Sequence, residues 1–256
     1  IVFGVAFFEI ATSLDTIVGA HSHNDYKNEI PLEKALENNF KSIEVDIFLL
    51  NKNLYVGHSW FELKKNKTIE TMYLDPLWSR YLANNETIYE KTSLYLLVDV
   101  KTNALKTYKY LEVILNKYKP MLTHVSSDSL KKKAVTIILS GNRPPINYFD
   151  SYDYRNVFID GRLNDIGKGI SYKIMPLISS DWKESFDWDG IGAFPSLQKG
   201  VLDGLVNNVH LEKKEIRFWG SPDNQNTWGV LLFADVDLIN TDNIEKCKKF
   251  IIKTKY

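Results

Sequence analysis

The chain has 256 residues, 44% of them apolar and 25% charged, with 32 basic side chains against 32 acidic ones. Zero net charge gives no reason to expect nucleic acid or a strongly anionic membrane as a partner. One cysteine, Cys247, excludes an intrachain disulfide and any multi-cysteine metal site.

Residues 1–10 are almost all apolar, and the small residues Ala11-Thr12-Ser13 follow them. The run is shorter than the roughly 20 residues that span a bilayer. It reads as the remnant of a secretory signal over 1–13, which implies a secreted or periplasmic protein. A buried first strand or helix is the alternative, and Glu9 speaks for it. Nothing later is apolar enough for a transmembrane anchor.

From there, apolar β-rich runs alternate with helical patterns. Strands are predicted over 16–20, 42–48, 94–100, 135–139, 157–160, 173–178, 215–219 and 237–240. Several are continuously apolar, as strands covered on both faces are. Helices are predicted over 31–39, opened by Pro31, and over 104–118, 222–234 and 242–253. The interval 51–92 reads as an elaborated loop with short helices. Eight such units over residues 14–256 predict one α/β domain, a (β/α)8 TIM barrel. No GxGxxG turn follows the first strand, so a dinucleotide fold lacks support.

Barrel enzymes build their sites at the C-terminal ends of strands, and here those ends carry ionisable groups. The first ends in Ala20-His21-Ser22-His23-Asn24-Asp25, the second holds Glu44 and Asp46, and the third ends Asp99-Val100-Lys101. Charges in a covered strand are costly unless paired or bound to metal. Glu44 and Asp46 are two apart and share a face, and Asp99 repeats the theme on the next strand. One divalent cation, Mg²⁺ or Ca²⁺, would relieve their repulsion; structural ion pairs with Lys101 are the alternative. Histidine as a residue type titrates near neutrality, so His21, and His58 in the segment Val56-Gly57-His58-Ser59, suit a general acid and base of phosphoryl transfer. His23 and Asp25 could tune His21, contact a phosphate or only shape their loop. Arg143, after the fourth strand, is a candidate for a substrate anion. Asp160 and Arg162 read as a structural pair, and His124 and His210 as non-catalytic.

The stretch AHSHNDY…PLEKALENNFKSIEVDIFLLNKNLYVGHS, with LLVDVKT later, resembles the glycerophosphodiester phosphodiesterase core of the phospholipase C-like phosphodiesterase superfamily. Asp99 stands where many of those enzymes have Glu, and in having Asp there the chain resembles the sphingomyelinase D-type enzymes of the same superfamily. The HSHNDY form and the tail RFWGSPDNQNTWGVLLFADVDLINTDN are most similar to a branch named for the fungal "altered inheritance of mitochondria" protein. The resemblance implies His21 and His58 as the catalytic pair and Glu44, Asp46 and Asp99 as metal ligands. It further implies Lys101 as a phosphate contact and Trp219 as a wall of the cleft. The expected activity is metal-dependent hydrolysis of a small-molecule or lipid-derived phosphodiester. Release of a cyclic phosphate and a non-catalytic head-group-binding barrel are the alternatives. Ser22-His23 replaces the usual Arg-Gly after the first histidine, so the implied head-group pocket differs. His21-Ser22-His23 would also suit an amidohydrolase-type barrel, but the fifth and sixth strands offer that class no histidine ligands.

Overall fold

The computed structural model describes residues 17–149 and 153–255; the predicted signal remnant at 1–13 lies outside the described residues. In chain order, β1 (Val18–Ser22) and β2 (Phe40–Leu50) flank helix α1 (Glu33–Glu37). Strand β3 (Asn53–Val56) folds back antiparallel on β2. Helix α2 (Asp75–Ala83), β4 (Leu94–Val100) and α3 (Ala104–Leu115) follow. Next come β5 (His124–Ser126), β6 (Ser129–Lys131), β7 (Val135–Gly141), β8 (Tyr154–Arg155), β9 (Val157–Gly161) and β10 (Leu177–Asp181). The chain continues through α4 (Trp182–Ser185), α5 (Ser196–Leu211), β11 (Glu215–Trp219), α6 (Gln225–Phe233), β12 (Ile239–Thr241) and α7 (Ile244–Lys255).

Eight of these strands run parallel in the order β11-β10-β9-β7-β4-β2-β1-β12. A parallel bridge from Arg217 to Leu238 joins the two ends and rounds the sheet into a barrel. The fold is therefore the predicted (β/α)8 barrel, with every predicted strand present in its predicted order. Strands β5, β6 and β8 form a separate small antiparallel sheet.

The strands carry apolar side chains on both faces because both are covered. Outward residues such as Ile43, Val45, Leu96, Val98, Ile137 and Ile159 pack under the helices as the main core. Inward, Leu97, Ile138, Phe158, Leu177 and Leu238 form a second, smaller core together with Val125. Two residues further along each strand the inward positions turn polar: Asp99, Ser140, Asp160, Ser179 and Asn240. An apolar plug thus fills the barrel, and a polar layer crowns it at the C-terminal mouth.

Candidate active site

Register brings the ionisable strand ends together. His21 on β1 is level with Ser42 on β2 and Asn240 on β12. Asp46 is level with Asp99 on β4, and Asp99 with Ser140 on β7. Glu44, Asp46 and Asp99 each offer a carboxylate oxygen, and these oxygens lie within 4.8 Å of one another. All three residues were picked from the sequence, and the fold makes them one cluster.

The cluster is partly neutralised by neighbouring cations. Lys101 Nζ reaches Asp46 Oδ2 at 3.0 Å and Asp99 Oδ1 at 3.2 Å. Arg217 Nη1 donates to Glu44 Oε2 at 2.9 Å and to Asn240 Oδ1 at 3.2 Å, and it also meets His21 Nε2. Burial would raise the Glu44 carboxyl, but Arg217 and the His21 bond outweigh it and hold the group well below the usual range. Burial raises Asp99; Lys101 opposes that, and the charges of Asp46 and Glu44 add to it. Asp46 is fully buried, and its Oδ1 has no hydrogen-bond donor among the described residues.

The two histidines attach to different carboxylates. His21 is fully buried, bonded through Nδ1 to Ser42 Oγ at 2.7 Å and through Nε2 to Glu44 Oε2 at 2.8 Å. Burial, reinforced by the Arg217 charge, lowers its pKa to about 4. His58, by contrast, has about half its side chain exposed, and its Nδ1 lies 3.1 Å from Asp46 Oδ2. Tyr26 donates to the same oxygen at 2.8 Å. Its phenol is pushed far above its ordinary range by burial and by Asp46, so it remains a donor.

The other predicted residues are placed as follows. His23 Nδ1 bonds Asp242 Oδ1 at 2.9 Å, beside the cluster. Asp25 is fully buried with both oxygens engaged: Ser22 Oγ donates at 2.7 Å, Leu32 N at 2.6 Å and Tyr73 Oη at 3.0 Å. These bonds tie down the loop after β1, where Leu32 takes a left-handed φ of 65°. Arg143 lies 3.8 Å from Asp165, and it lines a shallow groove with Lys101 and Trp60. Trp219 lies beneath the Arg162 guanidinium, 5.0 Å away, and 6.0 Å from that of Arg217.

Three contributors went unpicked in the sequence: Arg217, Tyr26 and Ser42. Arg217 had a signal, being a charge at an inward position of a covered strand, two before Trp219. Ser42 shares the face of Glu44 and Asp46 by the same count of two. Tyr26 lies in a loop, and no periodicity marks it.

A family model described as the AIM6-like phosphodiesterase domain matches residues 11–160. The Altered inheritance of mitochondria protein 6 homolog of Arthroderma benhamiae is 27% identical over 264 residues, covering 91% of this chain and 83% of that protein. Among solved structures, a glycerophosphodiester phosphodiesterase from Parabacteroides distasonis aligns with a TM-score of 0.55 and 15% identity, over 92% of this chain and 97% of that one. A calcium-dependent phosphoinositol-specific phospholipase C from a Gram-negative bacterium, Pseudomonas sp, aligns with a TM-score of 0.60 and 13% identity, over 91% and 93%. At such identities the structures speak for the fold alone. The matched segment, more than half of the chain, carries both histidines, all three carboxylates and Lys101. The chain belongs to the AIM6-like phosphodiesterase domain family.

Proposed function

We propose that this phosphodiesterase is metal-dependent and hydrolyses a small-molecule or lipid-derived phosphodiester with His21 and His58 as its proton-transfer pair. The observation that carries the reading is the arrangement of two histidines on one carboxylate trio, His21 against Glu44 and His58 against Asp46.

The donor set suits a hard divalent cation. Three carboxylates converge, and the buried Asp46 Oδ1 has no donor among the described residues, although an isolated buried oxygen is costly. Glu44, Asp46 and Asp99 would hold Mg²⁺ or Ca²⁺, both of which prefer oxygen ligands. Bound there, the ion supplies positive charge to the non-bridging phosphate oxygens.

The chain's own residues supply the rest. Ser42 and Glu44 fix the His21 ring from both nitrogens, while Asp46 and Tyr26 orient His58. In hydrolysis a water oxygen bonds to phosphorus as the bond to one ester oxygen breaks. One histidine takes the proton that the water loses, and the other protonates the departing alkoxide. Lys101 and Arg217 hold positive charge beside the phosphate site without themselves exchanging protons.

The test is release of p-nitrophenol from bis(p-nitrophenyl) phosphate by wild type, His21→Ala and His58→Ala, with and without EDTA. Each substitution is expected to lower kcat at least about 100-fold, the usual worth of general acid–base catalysis, and EDTA to abolish turnover reversibly. Turnover that survives chelation and both substitutions would overturn the reading.

A further inference from the structure

Beyond the carboxylates, the mouth is basic. Arg162 leaves the end of β9 and folds back over it, donating to Asp160 Oδ2 at 2.9 Å, Gly161 O at 2.8 Å and Ser140 Oγ at 3.3 Å. Its guanidinium lies over Trp219, a cation–π contact that fixes its plane. Arg217 is committed to Glu44 and Asn240, and Lys101 to Asp46 and Asp99.

Arg143 differs. Among the described residues its nearest carboxylate oxygen, Asp165 Oδ2 at 3.8 Å, is beyond hydrogen-bond reach and already accepts from Arg162 N at 2.9 Å. The side chain is only 21% exposed. Burial and the charge of neighbouring Arg162 lower its pKa, against the opposing charges of Asp160 and Asp165. Arg143 lines a shallow groove of about 590 Å³ together with Lys101, Asn103, Asn142 and Trp60. Because Lys101 touches two of the three carboxylates, the groove joins the place where a phosphodiester would be held to a guanidinium whose side chain makes no hydrogen bond among the described residues.

We propose that Arg143 is the anion-binding end of the substrate groove, so that the preferred diesters carry a second negative group, a carboxylate or a phosphomonoester, on the alcohol arm lying along it. This rests on the phosphodiesterase reading of the site and adds a substrate class to it. Arginine suits the task because its planar fork meets either anion with two parallel bonds. Asn142 and Asn103 line the path as neutral donors and acceptors for the arm. The Arg162 guanidinium, paired with Asp160, already covers the Trp219 ring, so that ring is not open to a quaternary ammonium arm.

The test uses p-nitrophenyl diesters whose second alcohol ends in a carboxylate, its primary amide or a trimethylammonium group, with arms of increasing length. For wild type with Mg²⁺ or Ca²⁺, kcat/KM is expected to be at least about tenfold higher for the carboxylate than for the amide at the best arm length, in keeping with one charge-assisted bond. The trimethylammonium diester should be the poorest. In Arg143→Gln the carboxylate-to-amide ratio should fall to near one, and Arg143→Lys should keep part of it; thermal melting checks that both variants fold. A wild-type ratio near one, a preference for the cationic arm, or a ratio unchanged in Arg143→Gln would overturn the proposal. If no diester is turned over, bis(p-nitrophenyl) phosphate included, the phosphodiesterase reading falls and takes this one with it. If only the neutral diesters are turned over, the subsite alone is refuted.

Discussion

His23 shows how a single residue couples the mouth to pH. Burial disfavours its charge, but the bond to Asp242 and the nearby Glu44 outweigh that and the opposing Arg217, so its pKa is raised above the ordinary value of about 6.5. A histidine whose folded pKa is raised contributes stability that is complete below the unfolded value and is lost as pH climbs through the folded one. Asp242 is correspondingly lowered, so its own contribution disappears only in acid. The bond should therefore stabilise the fold most between the carboxylate range and pH 6.5 and weaken above it. Asp242 is largely exposed, which limits the effect to less than about 1 kcal/mol. Urea denaturation of wild type and His23→Gln from about pH 5 to about pH 9 should show a stability difference that holds up to about pH 6.5 and shrinks above it. A difference that is flat or grows would mean that the Asp242 bond does not govern the His23 charge.

At the scale of elements, the site depends on how closely β7 and its following turn approach β4. Gly141 ends β7 with φ at 63°. A Cβ built there would sit 2.1 Å from Asp99 Oδ1 and 2.7 Å from Val100 O. Only glycine lets the turn pass beneath the carboxylate. Gly141→Ala should cost about 1–3 kcal/mol in urea denaturation, from left-handed strain and displaced packing, and should blunt any rise in stability on adding Ca²⁺ or Mg²⁺. A variant with the full cation response would show that Asp99 can move without loss. Strand order and the polar strand ends were legible because a covered strand writes a plain pattern, an apolar run that turns polar at its mouth end. Boundaries were less so. The sixth predicted strand began at Lys173, whereas β10 begins at Leu177, after Pro176, which has no N–H for a ladder. Helix α5 was not predicted: Gly200 and Gly204 dilute its pattern, and Leu197 and Val201 lie exposed on it. Arg217 is legible as an inward charge on a covered strand, but its partner is not. Its contact with His21 spans 196 positions, and local periodicity carries no trace of it.

For the whole molecule, the barrel stacks an apolar plug under a polar crown, and the charges of that crown decide its response to cations. Glu44, Asp46 and Asp99 face Lys101 and Arg217, which leaves one negative charge in excess within a mostly buried layer. Asp160, two strands on from β4, is paired with Arg162 and adds none. Self-repulsion there opposes folding, so a divalent cation that binds the folded crown and not the unfolded chain must stabilise the whole barrel. At a hundred times its dissociation constant that linkage contributes about 2.7 kcal/mol, or roughly 5–10 °C in the melting temperature of a chain this size. The melting point should rise with Ca²⁺ or Mg²⁺, return with EDTA and ignore equivalent ionic strength in Na⁺. Replacing Asp46 by Asn should remove most of the response, because Asp46 supplies an oxygen that no donor among the described residues satisfies. The Lys41–Glu215 pair, formed at the N-terminal ends of β2 and β11 and so away from the mouth, gives the control. Glu215→Gln should change the melting temperature while leaving the cation-induced shift intact. A shift lost there as well would locate the effect outside the carboxylate trio, and no shift in wild type would mean that Lys101 and Arg217 already satisfy the crown.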